Sequence, residues 1–295
     1  MDFGHIPYSE LDIRKLKLPG DSPLNGKILK GRPDKKAKLF IGCAKWGRKE
    51  WVGKLYPKGT KEKNFLDQYV KHFNSIELNA SHYKVYGASA TAAWAVRAER
   101  SDFVFCPKMY KGITHFGNLG TKKFLLNEFL RGVDGLGDKL GPIFIQLSDR
   151  FGPKRKEELF AFLKKLPADK NFFLELRHPD WFSDKKLEAE VFLLLKKLKI
   201  GAVITDTAGR RDLVHMQLPV AKAFIRFVGN ELHATDYKRA DAWVKRIKLW
   251  MDNGIKELYF FMHMQDETFT PELVEYVQKK LRRYLTSKSS SQRDV

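Results

Sequence analysis

The run Phe172–Trp181, reading FFLELRHPDW, places a carboxylate, a guanidinium and an imidazole close together behind a strand-like alternation. Phe172, Leu174 and Leu176 take one face of such a strand, while Phe173, Glu175 and Arg177 take the other. Opposite charges turned toward a protein interior are costly unless they are paired or used. The run reads either as a buried structural Glu175–Arg177 pair or as the ligand-facing end of a strand. Asn74–Ser81, NSIELNAS, repeats the arrangement, with Ile76, Leu78 and Ala80 on one face and Ser75, Glu77 and Asn79 on the other. By the same parity, further strand-like segments end in Lys108, Gln146 with Ser148, Asp206, Arg226 and His263.

A ring that mixes carboxylates with Lys, Arg and His suits general acid–base work or an anionic ligand held by cations. Glu175 is the leading acid/base candidate, with Glu77, Lys108 and His178 as further catalytic candidates. Arg177, Arg226, His115, Asn79, Gln146, Asp206 and His263 are the polar candidates for substrate contact, and Trp46, Tyr83 and Trp181 the aromatic ones. Each has a plainer alternative. His178 precedes a proline and can be a turn residue, His115 can scaffold its glycine-rich loop, His263 can be a core histidine, and the tryptophans can simply pack.

Several chemistries lack their residues. There is no HExxH, no HxH pair and no Cys cluster, so a zinc hydrolase is weakly supported. Glu77, Glu175 and Asp206 with a histidine could hold a divalent ion, or Lys108, Arg177 and Arg226 could neutralise them instead. No motif requires a cofactor, and a divalent metal stays open. The segments counted as strands four and seven end in Gln146/Ser148 and Arg226, where barrel glycosidases often carry carboxylates. No GxSxG elbow is present.

The elements that must position these groups follow in a regular order. Strand-like runs cover Leu39–Cys43, Asn74–Ser81, Phe103–Lys108, Ile143–Ser148, Phe172–Arg177, Gly201–Asp206, Ala223–Gly229 and Glu257–His263. Amphipathic segments at Glu62–Phe73, Ala88–Arg100, Lys122–Arg131, Pro153–Leu166, Lys185–Lys199, Asp236–Asn253 and Thr270–Tyr284 read as helices. Only Ala208–Pro219 looks too loop-like for one. Eight alternating βα units predict a parallel α/β fold, a single TIM-like (β/α)8 barrel. An open doubly wound sheet would usually carry a phosphate-binding glycine loop, and neither GxGxxG nor GxxxxGK[ST] occurs. Residues 1–37 read as an irregular N-terminal arm able to wrap the domain, with a short helical piece near Ser9–Leu16. The barrel is expected over 38–285, followed by a flexible tail over 286–295.

The 295 residues carry a formal net charge of +20. That charge permits nucleic acid, an anionic membrane surface or phosphorylated substrates. The lysines are spread through most helix-like segments, however, which favours solvated helix faces over one binding stripe. No apolar run approaches the roughly 20 residues of a membrane helix. The opening residues lack the basic-then-apolar order of a signal peptide. Cys43 and Cys106 fall in strand-like runs, so buried, reduced thiols and a cytoplasmic location are expected.

Ile41-Gly42-Cys43-Ala44-Lys45-Trp46, Trp51 with Leu55-Tyr56-Pro57, and Glu77-Leu78-Asn79 with His82-Tyr83 resemble the opening of the DUF72 (YecE-like) family. Lys108, Ile113-Thr114-His115, Ile145-Gln146-Leu147 and Glu175-Leu176-Arg177-His178-Pro179-Asp180-Trp181 continue the likeness in order. The resemblance implies a TIM-like barrel and supplies no reaction. The chain departs from the family's usual pattern at Lys45, at His82, after Gln146-Leu147 and at Phe261-Met262-His263-Met264, all expected around the barrel mouth. The expected function is an enzyme acting on a small anionic, phosphorylated or nucleotide-like substrate, its reaction open among hydrolase, lyase and isomerase. The alternatives are a nucleic-acid-associated binding protein and a non-catalytic barrel scaffold.

Overall fold

The computed structural model describes residues 3–98 and 102–285. The expected tail over 286–295, and the end of the helix expected over Ala88–Arg100, lie outside the described residues. Eight parallel strands alternate with helices: β1 (Lys38–Cys43), β2 (Ser75–Leu78), β3 (Val104–Pro107), β4 (Ile143–Gln146), β5 (Phe172–Glu175), β6 (Gly201–Asp206), β7 (Lys222–Val228) and β8 (Glu257–His263). The fold is α/β and TIM-like. Backbone pairing runs β1-β8-β7-β6-β5-β4 in one sheet and β2-β3 in another. Single bridges, Phe105 to Leu140 and Lys108 to Phe144, join β3 to the β4 region.

The ladder is not continuous around the ring, and side chains stand in for it between β1 and β2. The Asn74 amide accepts from Ile41 N at 2.9 Å and donates to Leu39 O at 2.9 Å, as a neighbouring backbone would. The Tyr69 hydroxyl accepts from Cys43 N and donates to Ser75 O. Gly42 allows this approach, because a Cβ there would lie 1.9 Å from the Ser75 carbonyl oxygen.

Strand parity splits the core into an inner and an outer part. Phe40, Cys106, Phe144, Phe173, Val203, Phe224, Tyr259 and Phe261 pack together inside the ring as a largely aromatic floor. Phe40 and Tyr259 stack at 4.9 Å, and Phe224 meets Phe144, Phe173 and Phe261 at centroid distances of 5.1–5.5 Å. Alternate residues of the same strands, such as Ile41, Ile204 and Phe260, or Ile145 and Leu174, pack against the helices. Both cysteines are buried and free, Cys43 outside the ring and Cys106 inside.

The N-terminal residues lie against the β6–β7 side. Beyond short turns at Tyr8–Glu10 and Ile13–Lys15 they form a helix, Pro23–Ile28, where an irregular course was expected. Ser22 caps it, with proline in its first turn, and buried Asn25 bonds Met216 O and Leu218 N in the loop after β6. That loop, expected to lack a helix, has only the turn Arg211–Leu213. The arm's far end reaches the carboxyl ends of the strands, where Gly4 O accepts from Gly209 N and from the Thr207 hydroxyl. Among the described residues no helix is long and apolar enough to cross a membrane.

Candidate active site

Immediately above the aromatic floor the inward positions turn polar. Arg226, fully buried on β7, lies between two carboxylates from opposite parts of the ring. Its Nε and Nη2 donate to Glu77 of β2 at 2.8 and 2.9 Å, and its Nη1 donates to Glu175 of β5 at 3.1 Å. Glu77 also accepts from Asn79 Nδ2 at 2.9 Å and from His263 Nε2 at 3.0 Å. Glu175 accepts from Gln146 Nε2 at 2.8 Å, Thr205 Oγ1 at 3.0 Å and Arg177 Nε at 2.8 Å. Six side chains from six strands or their ends are thereby tied to two carboxylates.

Electrostatics fix the protonation of this lattice. Burial alone would push both carboxyls up, but the neighbouring cations outweigh it. Arg177 and Arg226 hold Glu175, and Arg226 and His263 hold Glu77, well below the usual carboxylate range. With their donors in place, neither is poised to exchange a proton near neutral pH. Lys108 is the opposite case. It sits just past β3, only 5% exposed, two positions beyond the floor residue Cys106. Among the described residues no hydrogen bond or ion pair holds its ammonium, and no carboxylate oxygen lies within ion-pair distance. Burial, then the charge of Arg226, lowers it to about 7.

Two imidazoles flank this amine. His82 and His115 meet edge to face at 4.9 Å. His82 Nδ1 lies 2.9 Å from Met109 O and His115 Nδ1 2.7 Å from Thr114 Oγ1. Burial, and next the charge of Lys108, lowers His82 to about 3 and His115 to about 4, so both are neutral at pH 7. Arg177 contributes a further loose end, since its buried Nη2 has no hydrogen-bond partner among the described residues. The outer face of that guanidinium is covered by Phe3 of the N-terminal arm, 3.9 Å from the ring centroid. Beside the lattice, between the β1 and β2 ends, opens a cleft of about 310 Å³ lined by Trp46, Tyr83, Asn79 and Glu77. Tyr83 is 65% exposed there, with the Lys111 ammonium over its ring.

The structure thus brings together Glu77, Asn79, Lys108, His115, Gln146, Glu175, Arg177, Arg226 and His263, with Trp46 and Tyr83 at the adjoining cleft. Three expected members fall elsewhere. Asp206 points outward from β6, not into the ring: it accepts from Arg239 at 2.7 Å and Trp243 Nε1 at 2.5 Å, and pairs with Arg211. The inward place belongs to its neighbour Thr205, because a strand assigned to end on an acid does not thereby aim that acid inward. Trp181 is buried in the outer apolar core, donating to Phe151 O at 2.8 Å, and does not reach the mouth. His178 closes the turn after β5, its Nδ1 accepting from Asp180 N and its ring packed over Gly152. The sequence reading passed over Thr205 and His82 as site members. Parity on β6 could have found Thr205, whereas His82 sits on a short helical turn, Ala80–Tyr83, where a longer β2 was expected. Among the described residues no group of three or more His, Cys, Asp or Glu is placed to hold a metal ion.

The family described as "Protein of unknown function DUF72" matches residues 40–294. The chain belongs to the DUF72 family. It is 28% identical over 265 residues to the UPF0759 protein YecE of Escherichia coli K12, covering 84% of this chain and 94% of that protein. It is 26% identical over 253 residues to the UPF0759 protein YunF of Bacillus subtilis 168, covering 82% and 85%. The fold is similar to those of DUF72 proteins from Enterococcus faecalis V583 and Thermotoga maritima MSB8. The first gives a TM-score of 0.64 at 17% identity, the second 0.61 at 18%, and each comparison covers 84% of this chain and 99% of the other. Membership agrees with the resemblance read from the motifs and with the TIM-like architecture.

Proposed function

We propose that the protein is an enzyme acting on a small anionic substrate at the carboxyl ends of its strands, with the Lys108 amine as its acid–base group. The observation that carries this reading is a nearly buried amine with no ion partner among the described residues, set in a layer whose carboxylates are already bonded to cations. Glu77 and Glu175 against Arg177 and Arg226 is two negative charges against two positive, so a proton on Lys108 leaves the layer with one net positive charge. The low basicity of His82 and His115 reports the same positive field. A charged Lys108 attracts an anion, and a neutral one can accept a proton from the bound molecule. Glu175 then acts by holding Arg177 and Arg226 in place, a role the geometry favours over proton transfer.

Thermal-shift measurements on the intact protein and on Lys108→Met test this, with phosphate, sugar phosphates, dicarboxylates, nucleotides and short oligonucleotides as probes. A ligand of the folded state raises Tm. A rise with a small anion that disappears in Lys108→Met is the expected result. A rise that persists unchanged in the variant, or no rise with any small anion, overturns it. A rise confined to oligonucleotides and abolished by salt would move the function to the lysine-rich surface.

A further inference from the structure

We propose that Lys108 is a nucleophile that forms an imine with a small carbonyl compound carrying an anionic group. This rests on the reading of the barrel mouth as an anion site, adds the substrate class, and gives Lys108 covalent attack in place of simple proton transfer. A lysine serves this chemistry when its amine is desolvated, near other cations and not tied up in an ion pair. Lys108 meets all three conditions: it is buried, it shares its layer with Arg226 and Arg177, and no described residue bonds its ammonium. A structural lysine at such a depth would be expected to bond one of the carboxylates, yet Glu77 and Glu175 take their donors from elsewhere. The buried, unpartnered Nη2 of Arg177 offers the donor for a carboxylate or phosphate on the same molecule. The cleft of about 310 Å³ reaches this layer at Glu77 and Asn79, and its lining does not include Lys108 or Arg177.

The step balances without an outside oxidant or reductant. The neutral Nζ adds to the carbonyl carbon, forming a C–N bond as the C=O π bond opens, and a proton passes from nitrogen to oxygen. The resulting carbinolamine takes up one proton and loses water, leaving a protonated imine on Lys108. Free base is needed for the first bond. Burial and the charge of Arg226 lower Lys108 to about 7, so free base is far more available near neutral pH than on an ordinary lysine.

The test is reductive trapping. The full-length protein is incubated near neutral pH with glyoxylate, pyruvate or dihydroxyacetone phosphate and cyanoborohydride, and adducts are located by peptide mass spectrometry. The expected result is one dominant adduct at Lys108, about tenfold or more above any exposed lysine, suppressed by inorganic phosphate. Comparing the carboxylate and phosphate carbonyls shows which anionic group is taken. Lys108→Arg keeps the charge but cannot form the imine, so its adduct pattern should match the surface background. Adducts spread over surface lysines, with phosphate still raising Tm in the wild type but not in Lys108→Met, would overturn the imine and leave the anion site standing. No Lys108 adduct together with no Tm response to any small anion would overturn both.

Discussion

Two buried clusters of acid and arginine sit at the same end of the strands, and adjacent residues of β6 feed them from opposite faces. Thr205 turns inward and donates to Glu175; Asp206 turns outward and accepts from Arg239. The outer cluster lies under the helix Ala234–Asp252. There Asp206 uses both oxygens, on Arg239, Trp243 and Arg211, while Asp236 accepts from the Asn230 backbone and side chain. The inner cluster is equally buried and as densely bonded, but it ends at the barrel mouth. Among the described residues it leaves the Lys108 amine and one Arg177 N–H without partners, where the outer cluster leaves a single N–H, Arg239 Nε. Burial and charge are common to both clusters, so neither marks a site. What separates them is the amine left over after the structural pairing, on the face that opens to a cleft; the N–H left over in the outer cluster lies under a helix.

The largest effect expected is from Arg226→Met. Removing the cation between two buried carboxylates should cost at least the ~3–5 kcal/mol typical of breaking a buried pair, read by urea denaturation. Asp206→Ala removes the carboxylate shared by Arg239, Arg211 and Trp243, but Arg239 keeps Asp236 and two backbone carbonyls, so it should cost somewhat less. If the order is reversed, the inner lattice is not the principal support of the mouth. Adding Glu77→Gln to Arg226→Met should recover part of the loss, because Glu77 is then no longer an unpaired buried charge, while Glu175 keeps Arg177.

Acid should destabilise both clusters, but the histidines act first. His82, His115 and His215 have folded values lowered to about 3, 4 and 4, with burial as the main cause. Their folded forms bind fewer protons than the unfolded chain, so stability falls as pH drops from about 6.5 toward those values. Glu77, Glu175 and Asp206 are lowered below the ordinary carboxylate range, so their contribution is present above about pH 4.5 and is lost below it. A Tm that stays flat from pH 7 to 4 would contradict the histidine assignments.

Lys108 has the opposite consequence on the alkaline side. Its folded value of about 7 lies below the ordinary lysine value of about 10.5. The buried amine is therefore a penalty in full at and below pH 7 that fades toward pH 10.5. Lys108→Met should raise Tm most at pH 7 and barely at pH 10.5, while abolishing the anion response. A variant that lowers Tm at pH 7 would show that the amine is structurally paired, like the acids around it. The smallest change is Phe3→Ala. It removes a cation–π contact of roughly 0.5–1 kcal/mol and should leave Tm nearly unchanged while enlarging the anion-induced shift. An unchanged anion response would mean that the arm does not restrict access to Arg177.

Much of the architecture was legible because strand periodicity is a local property. Alternation in FFLELR and SIEL, and runs such as KLFIGC and ELYFFMH, mark strands whatever surrounds them, and all eight have counterparts in the fold. Parity then brought Glu77, Glu175, Arg226, Lys108, Gln146 and His263 to one layer. It missed Asp206 by a single residue, because strand ends are where local signals are weakest and one position reverses the face. Trp181 and His178 were misplaced for another reason: past the end of β5 the chain turns, and alternation no longer says where a side chain goes.

The sequence by itself determined the eight βα units, the aromatic interior and the residue types at the strand ends, since these depend on spacing and hydrophobicity along the chain. Which charge pairs with which was decided only by the tertiary structure. Arg226 is 149 residues from Glu77 and 51 from Glu175, and the packing of β2 and β5 around the end of β7 is what places it between them. That pairing consumes the two carboxylates that look most reactive in the sequence and leaves Lys108 without a partner among the described residues, because the fold brings more buried cations to this layer than carboxylates to neutralise them.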